Sequence, residues 1–402
     1  MKWPGLILSF LCFCGCYRSH ETYTEQDSAY CQGAKLKNEY IVHWKSGQPT
    51  LLHETSLAKF LDKFNQQIDF VEPNYRIQTE KNFFRPMANE LVQQSANNVY
   101  NMINVKTAWQ DGYYGQGIIV ALVDTGIDTN HPSLRPRIAI NEIENAHGIN
   151  GIDDDGNGFI DDIYGWNFVS NTGIVVDETG HGTAMAGVIT GPYLNEDSLS
   201  LAPSVKILPV EFMDENGGTE FNAQAAIQYA ISRKAQIINN SWTVSCSELL
   251  RKSFAQWGKE KVLFVNSSGN EPVDVIAQDI EPAALAYPNQ INVGSLDDRG
   301  YRSSFSGYGA TVKIYAPGEM IPSLTPTNSD TTGYAQISGT SVSTAIISAG
   351  AALLWSAYPN ASAVDIVNLL IDGANQQLSI EPGLNLRQSL NLGNSRFPRT
   401  GP

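Results

Sequence analysis

The most apolar helix that the sequence predicts begins at Gly339-Thr-Ser-Val-Ser-Thr-Ala345. From Ser341 to Trp355 the chain is SVSTAIISAGAALLW, a run of helical length without a charged residue, which predicts a helix buried on most sides. A hydroxyl at the N-terminus of such a helix lies beside unpaired backbone N–H groups and the positive end of the helix dipole. Ser341 is therefore a candidate nucleophile whose developing oxyanion would be stabilised there, although Gly-Thr-Ser before a helix is more often an ordinary N-cap.

The segments upstream and downstream alternate between strand-like and helical patterns. The unbroken apolar run 118–123 (IIVALV) suits a central strand that is covered on both faces. Further strands are predicted at 205–210, 235–239, 262–266 and 291–295, and helices at 181–189, 221–234, 249–257 and 362–370. The alternation predicts one α/β domain with a mainly parallel central sheet and helices on both faces.

The composition is that of a globular protein with enough material for a large core. The chain has 402 residues, of which 42% are hydrophobic and 17% are charged, and its net charge is −15. An acidic surface repels phosphates and therefore argues against nucleic acid as a partner. The excess of acidic side chains either keeps the protein soluble or binds cations.

The first fifteen residues have the features of an export signal. Lys2 precedes a short apolar stretch (PGLILSFLCFC) that is too short to span a membrane as a helix in the mature protein. Gly15-Cys16 resembles the cleavage box of bacterial lipoproteins, in which the cysteine is lipidated and becomes the new N-terminus. We expect export from a bacterial cell, with residues 1–15 removed and a membrane anchor at Cys16. Plain secretion is the alternative.

A small unit precedes the main domain. Residues 16–37 are polar and aperiodic, which predicts a tether, and a strand at 38–44, a helix at 56–64 and a strand at 68–76 broken by Pro73 follow. A unit of about forty residues is too small to be stable alone, so we expect 38–78 to pack against something larger. Residues 79–99 are predicted to be a linker and processing region, 100–394 the main domain and 395–402 a tail.

Two cysteines lie beyond the export signal, Cys31 in the tether and Cys246 in the main domain. In an oxidising compartment these cysteines can pair. Two free or separately buried thiols are equally consistent with the sequence.

Three residue types that nucleophilic catalysis requires occur in order along the main domain. Asp124 directly follows the predicted central strand, at the sheet edge where α/β folds form their ligand crevices. His181 opens a predicted helix between two glycines. With Ser341 they supply an orienting carboxylate, a proton-shuttling imidazole and a nucleophile. Taken singly, the aspartate is as often a turn residue and the histidine more often a capping or surface residue.

The segments around these residues resemble the three active-site signatures of the subtilisin-like serine proteases, the subtilases: VALVDTGIDTNHPSL, GHGTAMAGVI and SGTSVSTA. The chain order Asp, His, Ser is also that of subtilisin. A fourth segment, VNSSGN, ends at Asn270 and resembles the family stretch whose asparagine completes the oxyanion hole. The resemblance covers about 100–394 and implies a subtilisin-like three-layer fold.

The resemblance also implies a role for each matched residue. Asp124 would orient His181, and His181 would act first as general base and then as general acid. Ser341 would attack the peptide carbonyl, and Asn270 would bind the oxyanion together with the backbone N–H of Ser341. The glycines that line the substrate cleft in the family are replaced by Thr243-Val244, so no substrate preference is transferred.

The small N-terminal unit resembles part of the same family. EYIVHW and FVEPNYRI are similar to the first and last strands of the propeptide that precedes subtilisin-like proteases, with a shorter middle. The resemblance implies that the chain's own propeptide is one of its partners.

A long acidic insertion separates Asp124 from His181. Its stretch 153–162 (DDDGNGFIDD) matches D-x-[DN]-x-[DN]-G, the first half of an EF-hand calcium loop, although Tyr164 stands where the loop's last glutamate would be. Five aspartates around paired glycines repel one another unless a cation neutralises them, and similar loops occur in bacterial subtilases. We predict a structural Ca²⁺ site, with a solvated acidic loop as the alternative. The predicted ligands are Asp153, Asp155, Asn157, Asp161 and Asp162.

Taken together, these patterns predict an exported serine endopeptidase that hydrolyses protein or peptide substrates through an acyl-enzyme and processes itself. Two alternatives stay open. One is a catalytically silent subtilase fold used for binding, and the other is a protease dedicated to the maturation of one peptide.

Overall fold

The computed structural model describes residues 34–77, 85–86, 89–190, 201–327, 334–374 and 381–397. The predicted export signal, Cys16, Cys31 and nearly all of the predicted tether lie outside these residues. Cys246 is disulfide-bonded, and its partner also lies outside the described residues.

The N-terminal unit consists of three antiparallel strands and one helix. These are β1 (Lys35–Trp44), β2 (Thr50–His53), α1 (Leu57–Phe64) and β3 (Ile68–Ile77), with β1 between β2 and β3. The apolar face of α1 packs on Val42, Ile68 and Val71, which are buried. Pro73 does not end β3, because it lies where the register of β1 and β3 shifts and the ladder is already irregular.

The predicted linker is partly helical. After β4 (Arg85–Pro86), residues of this segment form α2 (Asn89–Ile103), which is followed by α3 (Lys106–Gln110). Ala96, Val99, Tyr100 and Ile103 of α2 recur at helical spacing and are buried in the main core. Asparagines and glutamines between them make the segment polar on average, and for this reason the sequence analysis predicted a linker there.

The main domain contains the remaining elements. Its strands are β5 (Ile119–Asp124), β6 (Trp166–Asn167), β7 (Lys206–Glu211), β8 (Met213–Asp214), β9 (Gly217–Thr219), β10 (Ile237–Asn240), β11 (Val244–Ser245), β12 (Leu263–Ser267), β13 (Ile280–Glu281), β14 (Gln290–Leu296), β15 (Val312–Pro317), β16 (Ile321–Leu324) and β17 (Tyr334–Ile337). Its helices are α4 (Glu142–His147), α5 (His181–Thr190), α6 (Glu220–Ser232), α7 (Glu248–Trp257), α8 (Thr340–Ala357), α9 (Ala363–Asp372) and α10 (Leu386–Arg396), with a 3₁₀ turn at Arg135–Arg137.

Seven parallel strands form the central sheet in the order β15-β14-β12-β10-β5-β7-β6. Side chains of β5 alternate between two cores: Val120 and Leu122 face the one that contains α5 and α8, whereas Ala121 and Val123 face the one that contains α6 and α7. The predicted α/β fold, with a mainly parallel sheet covered on both faces, is confirmed. Because β7 and β10 lie on opposite sides of β5, the chain order reverses there, and the crevice of such folds forms at the carboxyl ends of those strands.

Helix α8 is the centre of the larger core. All of its residues except Ser356 are buried. Within the described ranges it is the one helix long and apolar enough to cross a membrane, and 94% of it is buried inside the protein. It is therefore the buried core helix that its sequence predicts.

Short antiparallel sheets complete the domain. Strand β11 pairs with β13, and β17 lies between β16 and β4. Strand β9 pairs with both β8 and β3, which joins the N-terminal unit to the main domain in one five-stranded sheet. The small unit therefore has the larger packing partner that its size requires.

Candidate active site

Three neighbouring strands of the central sheet end at one edge and bring three polar residues together. Asp124 ends β5, Ser241 follows β10, and Asn270 comes shortly after β12. Strands β5 and β10 pair in parallel up to Leu122 and Asn239, and Asp124 and Ser241 each follow two residues later at the same edge of the sheet.

Asp124 and His181 are in direct contact. The Nδ1 atom of His181 lies 2.5 Å from Oδ1 of Asp124, and both side chains are buried. The same oxygen accepts a hydrogen bond from the Thr125 N–H at 2.8 Å, whereas Oδ2 is buried and accepts none within the described part of the chain. A carboxylate on Nδ1 fixes the orientation of the ring, so proton exchange with a substrate falls to Nε2.

Ser341 lies at the N-terminus of α8 and is buried. Its hydroxyl donates to the carbonyl oxygen of Ser241 at 3.2 Å, and the Ser241 hydroxyl donates to the carbonyl oxygen of Ser341 at 3.2 Å. Since Ser241 directly follows β10, the strand next to β5, this reciprocal pair holds Ser341 at the sheet edge that carries Asp124. Helix α8 also packs against α5, which begins with His181. The sequence did not predict that Ser241 positions Ser341, because no local pattern links two residues that are one hundred positions apart.

Asn270 contacts the first turn of α8 through its side-chain oxygen. This oxygen accepts hydrogen bonds from the N–H of Thr340 at 2.8 Å and from its hydroxyl at 3.0 Å. A Cβ atom at residue 339 would come within 3.1 Å of the Asn270 Nδ2 atom, and the φ of +154° at Gly339 would strain any other residue. The carboxamide is thus held beside the backbone that precedes Ser341.

In the acidic insertion, three carboxylates converge. Among the described residues these are Glu144, Asp153 and Asp155, each with an oxygen within 4.8 Å of the others. Glu144 is fully buried: its Oε1 accepts the N–H of Asp154 at 2.7 Å, while its Oε2 accepts no hydrogen bond from any described residue. A buried carboxylate oxygen without a donor is rare in folded proteins and fits a ligand of a hard cation such as Ca²⁺. Sequence reasoning missed Glu144, because it lies on α4, outside the loop motif.

Two of the predicted metal ligands are engaged by other groups of the protein. Asp161 accepts the N–H of Gly151 at 2.9 Å and so closes the loop on itself. Asp162 is buried, pairs with Arg233 at 2.8 Å and accepts a hydrogen bond from the Tyr229 hydroxyl at 2.7 Å. The guanidinium already neutralises Asp162, so this carboxylate does not need a metal ion.

The predicted ligand Asn157 lies between these two sets of carboxylates. Its Nδ2 atom donates to Asp155 and to Asp162, both at 3.1 Å, and its Oδ1 accepts the N–H of Phe159 at 2.8 Å. The side chain therefore links several residues of the loop through hydrogen bonds.

The N-terminal unit packs beside the active-site edge. Strand β3 lies antiparallel to β9, and β9 belongs to the hairpin that follows β7 at the carboxyl edge of the central sheet. The Tyr75 N–H donates to Oε1 of Glu220, the first residue of α6, at 3.1 Å. Glu72 accepts the N–H of Glu248, the first residue of α7, at 3.1 Å. The unit thus contacts the N-termini of both helices on this face.

Burial raises the pKa values of the carboxyl groups in this interface. It raises the pKa of Glu72, against the lowering effect of His43, whose Nε2 lies 2.6 Å away. It raises the pKa of Glu220 well above its ordinary value, and the charge of Glu72 adds to this. Burial also raises the pKa of Glu281 to about 8, although Arg251 opposes the shift. Below these raised values the groups are neutral acids, which lets several of them share one buried interface.

With this geometry established, comparison with known proteins identifies the family. The model of the subtilase family matches residues 115–391, a span that contains Asp124, His181, Asn270 and Ser341. The chain belongs to the subtilase family. The resemblance drawn from the sequence motifs is therefore confirmed.

Characterised subtilases match the chain over most of this domain. Thermitase from Thermoactinomyces vulgaris is 33% identical over 265 residues, which are 65% of this chain and 82% of thermitase. Subtilisin-like protease 1 from Plasmodium vivax is 32% identical over 272 residues, 62% of this chain and 42% of that protein. The chain thus spans about two fifths of the length of that Plasmodium subtilase.

A solved structure supports the same fold. The crystal structure of a cold adapted subtilisin-like serine proteinase superposes with a TM-score of 0.56 at 25% sequence identity. The superposition covers 68% of this chain and 90% of the other. The predicted subtilisin-like architecture is therefore confirmed.

Proposed function

We propose that this subtilase is a serine endopeptidase in which Asp124, His181 and Ser341 act as one catalytic unit. The observation that carries the proposal is the buried Asp124–His181 contact at the sheet edge where Ser241 holds Ser341. Mutation of Ser341 and of Asp124, with labelling of the nucleophile, tests it.

In this mechanism the Ser341 hydroxyl leaves the Ser241 carbonyl by rotation about its Cα–Cβ bond. Its proton passes to Nε2 of His181 as its oxygen attacks the peptide carbonyl, and Asp124 stabilises the imidazolium that forms. The imidazolium then protonates the leaving amine, which breaks the peptide bond and leaves an ester on Ser341. Water, activated by the same imidazole, hydrolyses the ester and restores the enzyme.

Asn270 and the backbone N–H of Ser341 are the proposed donors to the oxyanion. Thr340 engages the side-chain oxygen of Asn270, so the NH₂ group is the part of this amide that donates to a substrate. The positive end of the α8 dipole acts in the same direction. Losing one such donor lowers turnover on the order of 10²–10³-fold, a figure that was measured on a subtilisin.

We further propose that residues 38–78 are a propeptide that inhibits the enzyme and that the enzyme cleaves within 77–100. Strand β3 extends along β9 as an added strand would, which is a common way to bind an extended peptide. The buried contacts of Tyr75 with Glu220 and of Glu72 with Glu248 hold it there. Protein and peptide substrates would compete for the same edge.

The disulfide of Cys246 bears on what happens after this cleavage. The other cysteines of the sequence, Cys12, Cys14, Cys16 and Cys31, all precede the first described residue, Ala34. Ala34 lies beside β3, because its carbonyl oxygen accepts a hydrogen bond from the Arg76 N–H at 2.9 Å. Strand β3 in turn contacts β11, which directly precedes Cys246. Cys31 stands three residues before Ala34, and three residues span at most about 11 Å. We therefore propose Cys31 as the partner, with the result that the cleaved propeptide stays covalently attached to the catalytic domain.

The disulfide predicts that the processed chain separates only after reduction. A denaturing gel without reductant should show one species of the full mass, and the same sample with reductant should show two fragments. Cys246→Ser and Cys31→Ser should each give two fragments under both conditions, with Cys14→Ser as the control that behaves like the wild type. Free propeptide in the unreduced wild-type sample would rule out the Cys31–Cys246 disulfide.

A structural Ca²⁺ ion is proposed at Glu144, Asp153 and Asp155. The buried, donor-free Oε2 of Glu144 and the two nearby carboxylates supply the hard oxygen ligands that this cation prefers. The ion would offset the mutual repulsion of three carboxylates and so fix the insertion between Asp124 and His181.

Chelation should therefore lower the melting temperature of the purified wild type by several degrees. Removing an ion present at about 100 times its Kd costs about 2.7 kcal/mol of stability. Glu144→Gln should melt at the same temperature with and without chelator, whereas Glu142→Gln, an exposed neighbour on the same helix, should keep the wild-type response. An identical wild-type melting curve in chelator and in calcium would contradict the site.

Export with a lipid anchor at Cys16 is proposed from the N-terminal sequence alone. Thermitase and the other relatives match the catalytic domain, and this match does not test whether Cys16 is lipidated. The mass of the mature N-terminal peptide tests the proposal, since an unmodified N-terminus at another residue would exclude lipidation.

A further inference from the structure

A buried carboxylate outside the proposed catalytic unit lies four residues before His181. Asp177 is 2% exposed. Its Oδ1 accepts hydrogen bonds from the Thr125 hydroxyl at 2.9 Å and the Gly180 N–H at 2.8 Å, and its Oδ2 accepts the Thr183 N–H at 2.7 Å. Hydrogen bonds to an ionised acceptor are stronger than neutral ones, so this set fixes the carboxylate in one position.

These bonds join the two segments that carry the Asp124–His181 contact. On one side, Asp177 caps the first turn of α5, the helix that begins with His181. On the other side it holds the hydroxyl of Thr125, whose N–H donates to the Asp124 oxygen that faces the imidazole. The Thr125 hydroxyl oxygen also accepts the N–H of Gly182 at 3.0 Å. Asp177 and Thr125 thus connect the end of β5 to the start of α5.

Glycines make this connection tight. A Cβ atom on Gly182 would lie 1.9 Å from the carbonyl oxygen of Gly126, and one on Gly126 would lie 2.2 Å from that of Val176. The first turn of α5 therefore touches the loop after β5 backbone to backbone. Any shift of this contact moves His181 relative to Asp124.

Burial and a neighbouring carboxylate both disfavour the charged form of Asp177. Burial raises the pKa of its carboxyl, the charge of Asp124 adds to this, and the hydrogen bonds oppose it. A third buried acid lies close by: Glu211 accepts the Val176 N–H at 2.9 Å, and burial raises its pKa to about 8. Acids buried this close destabilise one another unless donors hold them, and here the donors belong to the backbone of the site itself.

We propose that Asp177 is a positioning residue, which acts through Thr125 and the first turn of α5 to set the distance and angle at which His181 meets Asp124. The inference rests on the proposed serine-protease mechanism and adds to it a residue that touches neither substrate nor nucleophile.

The test measures kcat and KM of variants on a peptide substrate. Asp177→Asn places an NH₂ group among N–H donors and should lower kcat about 10²-fold, because a misplacement of about 1 Å costs that much, while KM stays near the wild-type value. Thr125→Val keeps the shape of the side chain but removes the linking hydroxyl, and it should lower kcat in the same way. Thr125→Ser retains the hydroxyl, so its kcat should be close to that of the wild type and well above that of Thr125→Val. If Asp177→Asn does not fold, the two Thr125 variants decide.

Ser362→Ala is the control for a merely structural role. Ser362 caps α9, beyond the C-terminal end of α8, with a capping box to Asp365, and its loss should lower the melting temperature without changing kcat. Variants that do not mature themselves are processed by added wild-type enzyme. If Asp177→Asn and Thr125→Val lower the melting temperature but keep the wild-type kcat, as Ser362→Ala does, the inference is overturned. An inactive wild type would instead refute the proposed function.

Discussion

Replacing Ser341 by alanine should lower kcat for peptide hydrolysis by about 10⁶-fold, the loss recorded for the nucleophile of a subtilisin. The reason is that His181 only transfers protons and Asp124 only orients and stabilises the imidazole, so without the serine oxygen no acyl-enzyme forms. Residual hydrolysis would come from oxyanion stabilisation and binding alone. Initial rates on a peptide substrate measure the loss of hydrolysis. The mass of the purified chain measures self-processing, and the variant should accumulate in the unprocessed form.

Ser343→Ala is the matched control for this experiment. Ser343 lies two residues further along the same buried helix and donates to the carbonyl oxygen of Ala316 at 2.9 Å. Subtilases usually have alanine there, so this variant should keep the wild-type rate and process itself. Normal processing of Ser341→Ala would mean that another protease matures the chain, and normal hydrolysis by that variant would remove Ser341 from the mechanism.

Replacing Asp124 by asparagine should lower kcat by about 10⁴-fold, the loss found for the same change in a serine protease of another fold. The 2.5 Å contact between Oδ1 of Asp124 and Nδ1 of His181 holds the imidazole in the tautomer that accepts a proton at Nε2. An asparagine amide that donates to Nδ1 favours the opposite tautomer. The charge that stabilises the imidazolium is lost as well.

Steady-state kinetics at constant pH measure this effect, and KM should change little, since Asp124 is fully buried and the proposed mechanism gives it no contact with substrate. Asp298→Asn is the control, because the Asp298 side chain is 82% exposed and its charge is screened by solvent. A kcat of Asp124→Asn close to the wild-type value would show that the Asp124–His181 contact is structural only.

Much of the fold could be predicted because its strongest elements have strong local patterns. The apolar run 118–123 became β5, and the uncharged run from Ser341 became α8, each within one or two residues of its observed ends. Signals of this kind arise because central strands and core helices are buried on both sides. Asp124 and Ser341 were found for the same reason, since each is adjacent to such a run.

What the sequence did not reveal depends on contacts between distant segments. Ser241 holds Ser341 from one hundred residues away, and Glu144 joins the acidic loop from a preceding helix. Neither contact leaves a periodic trace in the sequence. The motif of the acidic loop also could not show that Arg233 pairs with Asp162. Helix α2 was missed, since its apolar face is narrow and the residues between are polar.

Labelling with a fluorophosphonate probe, followed by mass spectrometry of the labelled peptide, tests the central claim most directly. The probe reacts with a serine that a neighbouring imidazole activates, so the processed and folded wild type should carry one label, on Ser341. Asp124→Asn should react far more slowly, and Ser341→Ala should not react. A folded wild type that stays unlabelled, or that carries its label on another residue, would contradict the account and favour a catalytically silent subtilase.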